Sequence, residues 1–230
     1  MTSTPRSKAP SRTDGVVVTP VSSLDIVACT VDERELAMLA RTAGQRTREL
    51  PWEVLDPLAP LERSALRIAR SVLGEAPAWV AQLGAYGDRA SHPSKCALSV
   101  AFVVIAPAGT RAPAGMAWVP LAGDSKLPAR QRTMAADVTA MLRVRMHTAP
   151  IAFRLLPARF TLSELQRMYE LLLERPLHKA SFRRTLQASA LVEATEEWRS
   201  EGRGRPAQLY RYAPRSEANA RRSLTFDFLR

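Results

Sequence analysis

This 230-residue chain has only two cysteines and three histidines to offer a zinc ion as thiolate or imidazole ligands. Cys29 and Cys96 fit no Cys-x-x-Cys spacing, and His92, His147 and His178 are scattered. That pattern excludes a structural zinc site, and no metal is expected. The two cysteines read as buried thiols in a reducing compartment. No run approaches the roughly 18 apolar residues of a membrane span. The opening stretch, MTSTPRSKAPSRTDG, has no signal-peptide apolar core, so residues 1–20 read as a flexible basic arm. No internal repeat is present.

Acidic residues are also in short supply. There are 22 Asp and Glu against 33 Lys and Arg, a formal net charge of +11, and the sequence pI is about 10.7. Such an excess favours a polyanionic partner, nucleic acid above all, with a solvated basic face as the alternative. The excess is uneven. Residues 151–230 carry 15 Lys and Arg against 9 Asp and Glu, and residues 21–150 carry 15 against 12. Apolar residues at 46% and charged residues at 24% are ordinary for a globular chain of one large or two modest domains.

Leu24 to Val31 alternates like a strand, Asp32 to Glu35 is a turn signal, and Leu36 to Arg41 returns, which predicts an opening β-hairpin. Ala43 to Glu49 is polar and reads as a loop. Pro60 to Leu73 puts Leu61, Ala65, Ile68, Ala69 and Val72 on one helical face, and Gly74 is a natural C-cap. Trp79 to Tyr86 and Leu98 to Ile105 read as strands. The second is apolar almost throughout, as in a central strand covered on both faces. Pro107 to Pro113 is a turn, and Ala117 to Pro120 is one more short strand. Ala129 to Met146 is a second helix, with Met134, Val138, Met141, Leu142 and Arg145 in register. The connection TAPIAFRLLPAR, residues 148–159, is apolar enough to be a packed joint.

The last third has the order of a winged helix-turn-helix: two amphipathic helices, then two strands around a basic, Gly-rich hairpin. In the first helix Phe160, Leu162, Leu165, Met168, Tyr169 and Leu172 make the core-facing stripe. Thr161 and Glu164 have the spacing of a capping box, and Pro176 ends the helix. In the second, Lys179 to Ala188, Phe182 and Leu186 face inward. That leaves Lys179, Ser181, Arg183, Arg184 and Gln187 as candidates to contact DNA, because Arg forks onto guanine, Gln onto adenine and Lys onto phosphate or guanine. Leu191 to Trp198 and Gln208 to Tyr212 pair around a wing tip that carries Arg203 and Arg205, suited to phosphates or a narrow minor groove.

Leu50 to Gly74 resembles the Nudix box, GX5EX7REUXEEXGU (U apolar). Leu50-Pro51, Asp56-Pro57, Leu61-Glu62 and Ala65-Leu66-Arg67 fall where the family has LPGG, EPGE, LEEA and ALRE. With Arg67 as the motif arginine, Glu53 stands at the first glycine and Ala59 at the first glutamate. Ile68, Ser71 and Val72 occupy the later glutamate positions. In the family these carboxylates hold Mg²⁺ or Mn²⁺, and a hard cation needs several oxygen ligands. The resemblance therefore implies a Nudix-like domain without a catalytic residue, metal or cofactor. For a ligand, the candidates are Trp52 at the mouth of the box and Arg67 and Arg70 on its helix. Asp88, Arg89 and His92 join them from the loop GDRASHPSK, which resembles the family's substrate-side loop.

The C-terminal motifs are similar to those of the Nudix-related transcriptional regulator family (NrtR). They are Leu155-Leu-Pro157, Phe160-Thr-Leu162, Glu164-Leu-Gln166, Tyr169-Glu170, Phe182-Arg-Arg184, Arg205-Pro-Ala207 and Leu209-Tyr-Arg211. The family's LAFDH appears as Met134-Ala-Ala-Asp-Val138. The resemblance implies an α/β fold, a Nudix-like α/β/α sandwich over 21–150. It is followed by a winged helix-turn-helix over 151–213 and a tail over 214–230. It implies a cytoplasmic, nucleoid-associated homodimer, a repressor on palindromic double-stranded DNA. Its effector would be a small molecule such as ADP-ribose or a sugar metabolite, and no membrane is involved. Two other readings remain: a pyrophosphohydrolase with a DNA-targeting domain, and a protein-interaction adaptor.

Overall fold

The computed structural model describes residues 21–32, 35–43, 47–87, 91–124, 126–200 and 206–214. The arm over 1–20, and the tail apart from Pro214, lie outside the described residues. Strands β1 (Ser22–Asp32) and β2 (Glu35–Ala43) form the expected hairpin, with Cys29 opposite Met38. They are followed by β3 (Thr47–Glu49), β4 (Trp52–Val54), α1 (Leu61–Leu73), β5 (Trp79–Tyr86), β6 (Leu98–Ile105) and β7 (Met116–Pro120). After these come α2 (Ala129–Arg145), α3 (Ile151–Arg154), α4 (Leu162–Leu173), α5 (Lys179–Ser189), β8 (Val192–Arg199) and β9 (Ala207–Tyr212).

A seven-stranded sheet runs β3-β2-β1-β6-β5, with β4 also on β1 and β7 on β2. β1 and β6 are parallel, and the other pairs are antiparallel. The side-chain period of two sorts β1 between two layers. Leu24, Ile26 and Ala28 pack with Ala65, Ile68 and Ala69 of α1. Val27 and Cys29 pack with Met134, Val138 and Leu142 of α2. β6 is sorted likewise: Phe102 and Val104 lie on the α1 side, Val103 and Ile105 on the α2 side. The result is the expected sandwich of helix, sheet and helix. α1 ends at Gly74, which turns left-handed (φ 76°) and returns its N–H to the Arg70 carbonyl at 2.9 Å, a conformation that costs glycine no Cβ clash.

Two local expectations are corrected, and one strand is new. The stretch read as a loop over 43–49 contains β3, which pairs with β2 as Arg41 to Glu49 and Thr42 to Arg48. Its polar side chains hid it, but an edge strand needs only its backbone groups. β4 lies inside the box-like stretch and pairs Trp52 with Asp25; three residues are too few to show an alternation. Arg145 was expected in register with the apolar face of α2, yet it is exposed, and the next residue, Met146, is buried instead.

The joint is packed, as its composition predicted. α3 buries Ile151, Ala152 and Phe153, and Leu155 follows them. The Phe153 ring meets Phe160 at 5.9 Å, Tyr169 at 6.4 Å and Tyr212 at 4.6 Å between centroids. One apolar cluster therefore continues from Val27 and Met134 through Phe153 to Phe182 and Leu186. Among the described residues no helix is long and apolar enough to cross a membrane. Replacing Phe153 with Ala is expected to cost roughly 3–5 kcal/mol in urea unfolding. A loss below about 1 kcal/mol, the scale of ordinary surface changes, would show that the joint is not part of the core.

Candidate functional site

The helix-turn-helix is built from short-range hydrogen bonds. Thr161 Oγ1 accepts the Glu164 N–H at 3.1 Å, and Glu164 Oε2 accepts the Thr161 N–H at 2.6 Å, so both arms of the expected capping box are made. The turn is held by Glu170, whose Oε1 accepts the Leu177 N–H at 2.8 Å and the Gln166 side chain at 2.9 Å. Gln166 also donates to the Leu177 carbonyl at 2.9 Å. α4 closes on Glu174, a left-handed non-glycine (φ 53°).

α5 is seated by Phe182 and Leu186, which are 0% and 1% exposed. Tyr169 of α4 meets the Phe182 ring at 5.8 Å. With those two residues inward, Lys179, Arg183, Arg184 and Gln187 are exposed. Lys179, Arg183 and Gln187 are four apart and share one line along the helix. Ser181 is half-buried, with Oγ 3.3 Å from His178 Nδ1, and lies off that line on the other side of Phe182. Arg203 and Arg205, the expected wing tip, lie outside the described residues. The hairpin below it is antiparallel, and Phe160 bridges to Tyr210. Its charges are largely paired internally: Arg199 with Glu164 at 2.6 Å, Arg211 with Glu193 at 2.7 Å, and Arg159 with Glu197.

In the α/β unit the expected ligand residues are dispersed. Arg67 makes a two-pronged pair with Glu53, at 2.6 and 3.3 Å, so the residue at the motif's first glycine occupies the motif arginine. Arg70 is exposed. Ile68 and Val72 are buried against the sheet, Ala59 is half-buried and Ser71 is exposed. No carboxylate stands at these positions, so the side chains do not fit a divalent cation there. Among the described residues no group of three or more His, Cys, Asp or Glu could hold a metal ion. Asp88 and Arg89 lie outside the described residues.

His92 is not displayed to solvent. Its side chain and that of Asp25 are both 0% exposed, and Nε2 lies 2.8 Å from Asp25 Oδ1. Trp52 meets the His92 ring edge-on at 5.5 Å, and its indole N–H is buried without a hydrogen-bond partner among the described residues. Around His92 is a polar cluster that the sequence reading missed. Gln131 donates to Asp25 Oδ1 at 2.9 Å and accepts the Leu50 N–H at 2.9 Å. Ser23 Oγ lies 2.8 Å from both Asp25 Oδ2 and Ser99 Oγ. Arg130, 2% exposed, donates to the Cys96 carbonyl at 2.9 Å and to Ser99 Oγ at 3.1 Å. One signal was legible: Ser23 and Asp25 share the α2-facing side of a strand that is otherwise apolar there.

Known proteins resemble both parts. Residues 152–212 match the model of the NrtR DNA-binding winged helix domain. The ADPR responsive transcriptional repressor NtrR of Acinetobacter baylyi is 45% identical over 71 residues, 31% of this chain and 27% of that protein. The chain thus matches little more than a quarter of that curated relative's length. The crystal structure of Shewanella oneidensis NrtR complexed with a 27mer DNA is similar at TM-score 0.73 and 25% identity, over 88% of this chain and 97% of that one. A MutT/nudix family protein from Enterococcus faecalis shares the fold at TM-score 0.64 and 15% identity, over 84% and 88%. The chain is thus similar to NrtR over most of its length, and the match to the winged helix domain model is confined to residues 152–212.

Gln131→Ala would leave the Leu50 N–H and part of the Asp25 carboxylate without donor or acceptor. The expected loss is roughly 1–3 kcal/mol in chemical denaturation. Arg183→Ala in the same assay should stay within about 0.5 kcal/mol, as expected for a side chain on a free surface.

Proposed function

We propose that this chain is a sequence-specific, duplex-DNA-binding transcriptional regulator, a dimeric repressor. The observation that carries the reading is α5: two inward apolar residues seat it, and its outward line is Lys179, Arg183 and Gln187 with Arg184 beside it. Inserted in a major groove, such a helix reads guanine with Arg and adenine with Gln, while Lys holds phosphate. Ser181, near the start of α5, donates to the DNA backbone, and Arg203 and Arg205 extend the contact from the wing. The net charge of +11 supplies the sequence-independent part of the affinity. Support comes from the winged helix match and from the similar NrtR, which was crystallised with a 27mer DNA.

A two-fold dimer presents two such helices, so the operator is an inverted repeat. The division into a unit over 21–150 and a reader over 151–213 is part of the same reading, as is a cytoplasmic, nucleoid-associated location. The α/β unit acts as a sensor and not as an enzyme, because its box offers apolar or hydroxyl side chains where metal-holding carboxylates are needed. The ADPR-responsive relative nominates ADP-ribose as the effector, with a sugar metabolite as the second choice. Trp52, Arg67, Arg70, Asp88, Arg89 and His92 are its candidate contacts. Trp52 stands in front of the buried His92 and enters from the outer side of that wall, and Arg67 enters by exchanging Glu53 for a phosphate.

The test is fluorescence anisotropy with duplex DNA from the region upstream of the chain's own gene. Salt-sensitive, sequence-dependent binding is expected. Arg183→Ala and Arg184→Ala should each cost roughly 1–3 kcal/mol of affinity. Binding that ignores both substitutions would replace the reading with a protein-interaction adaptor. ADP-ribose incubated with the protein and Mg²⁺ should remain intact; turnover would restore a pyrophosphohydrolase.

A further inference from the structure

The two thiols, both buried, sit in opposite surroundings. Cys29 is 0% exposed in the apolar layer between β1 and α2. Its sulfur lies 3.6 Å from the Val27 carbonyl, and burial pushes its pKa up to about 12. Cys96, 6% exposed, lies among polar groups. Its sulfur is 3.2 Å from Ser23 Oγ, 3.6 Å from Ser99 Oγ, 3.6 Å from Arg130 Nη1 and 3.7 Å from His92 Nδ1.

His92 Nδ1 faces the Ser94 hydroxyl at 2.6 Å, with the Cys96 sulfur beyond it at 3.7 Å. The Ser94 N–H donates to His92 Nδ1 at 3.1 Å, so Nδ1 carries the lone pair and Nε2 the proton that Asp25 accepts at 2.8 Å. Carboxylate, imidazole and thiol thus stand in the order that activates a sulfur nucleophile. The Arg130 guanidinium adds positive charge beside the sulfur. Burial by itself would raise the thiol; the hydroxyls of Ser23, Ser94 and Ser99, with His92, outweigh it and bring Cys96 down to about 7.

We propose that Cys96 is a site of oxidation by hydroperoxides, with His92 as its base and Asp25 and Arg130 as positioning residues. His92 Nδ1 takes the thiol proton. The thiolate attacks the terminal oxygen of the hydroperoxide, and the S–O bond forms as the O–O bond breaks. Sulfur loses two electrons and becomes sulfenic acid. The departing alkoxide, or hydroxide from hydrogen peroxide, takes the proton from His92 and leaves as alcohol or water. The site is independent of DNA binding, and its test does not use DNA.

The experiment treats the full, reduced chain with hydrogen peroxide and dimedone, a carbon acid that traps sulfenic acid, and maps the label by peptide mass. Label on Cys96 and none on Cys29 is expected. In parallel, the rate of iodoacetamide alkylation of Cys96 is followed from about pH 5 to 10. It should be half-maximal near 7, so at neutral pH the thiolate fraction is roughly 50-fold that of a thiol at the ordinary 9.0. Asp25→Asn should move that midpoint up without moving the label to Cys29. If that variant does not fold, the pH profile of the unaltered chain decides alone. No label on Cys96 where the urea-unfolded chain is labelled, or a midpoint near 9, overturns the proposal.

Discussion

A carboxylate buried in the central strand of a sheet must be met by donors, and Asp25 is that carboxylate. An unpaired buried charge costs several kcal/mol, so its partners are a condition of the fold. They come from three places: Ser23 on its own strand, His92 in the connection between β5 and β6, and Gln131 in the first turn of α2. Gln131 also closes the Leu50 backbone, where the chain enters β4. One acidic residue thereby sets where α2 starts, where the His92 loop lies and how the box-like stretch begins. Trp52 packs onto the same loop, edge-on to the His92 ring, and so forms a wall of the polar cluster.

From that cluster α2 carries the constraint outward. Its 17 residues span about 25 Å. At the far end Arg143 donates through Nε to the Leu172 carbonyl at 3.1 Å and pairs with Glu174 at 2.6 Å. Carbonyls in the last turn of a helix have no partner within it, so α2 caps α4. Glu170 then pins the turn, and Phe182 and Leu186 seat α5 on the same core. The exposed line of Lys179, Arg183 and Gln187 is therefore positioned relative to the sheet by side-chain contacts the whole way.

Much of this was legible in the sequence, and the reason is the range of the forces involved. The capping box at Thr161 and Glu164, the left-handed Gly74, the apolar stripe of α1 and the inward pair Phe182 and Leu186 rest on neighbours within a few residues. The elements that escaped notice lacked such a signature. β3 is polar and β4 is three residues long, so neither shows a period. Arg130 and Gln131 are polar and outside the apolar register of α2, yet they are 2% and 0% exposed.

The amino-acid sequence by itself determined the order of the main elements, the burial of β6 on both faces, the winged helix and the cationic face of α5. Each follows from local periodicity, capping and charge, which need no knowledge of what lies across the molecule. Only the tertiary structure decided that Glu53 occupies Arg67, that His92 is withdrawn onto Asp25, and that Cys96 differs from Cys29. Those facts depend on pairings such as Asp25 with Gln131, 106 positions apart. What a buried polar group meets is set by how layers stack, and no local pattern encodes that.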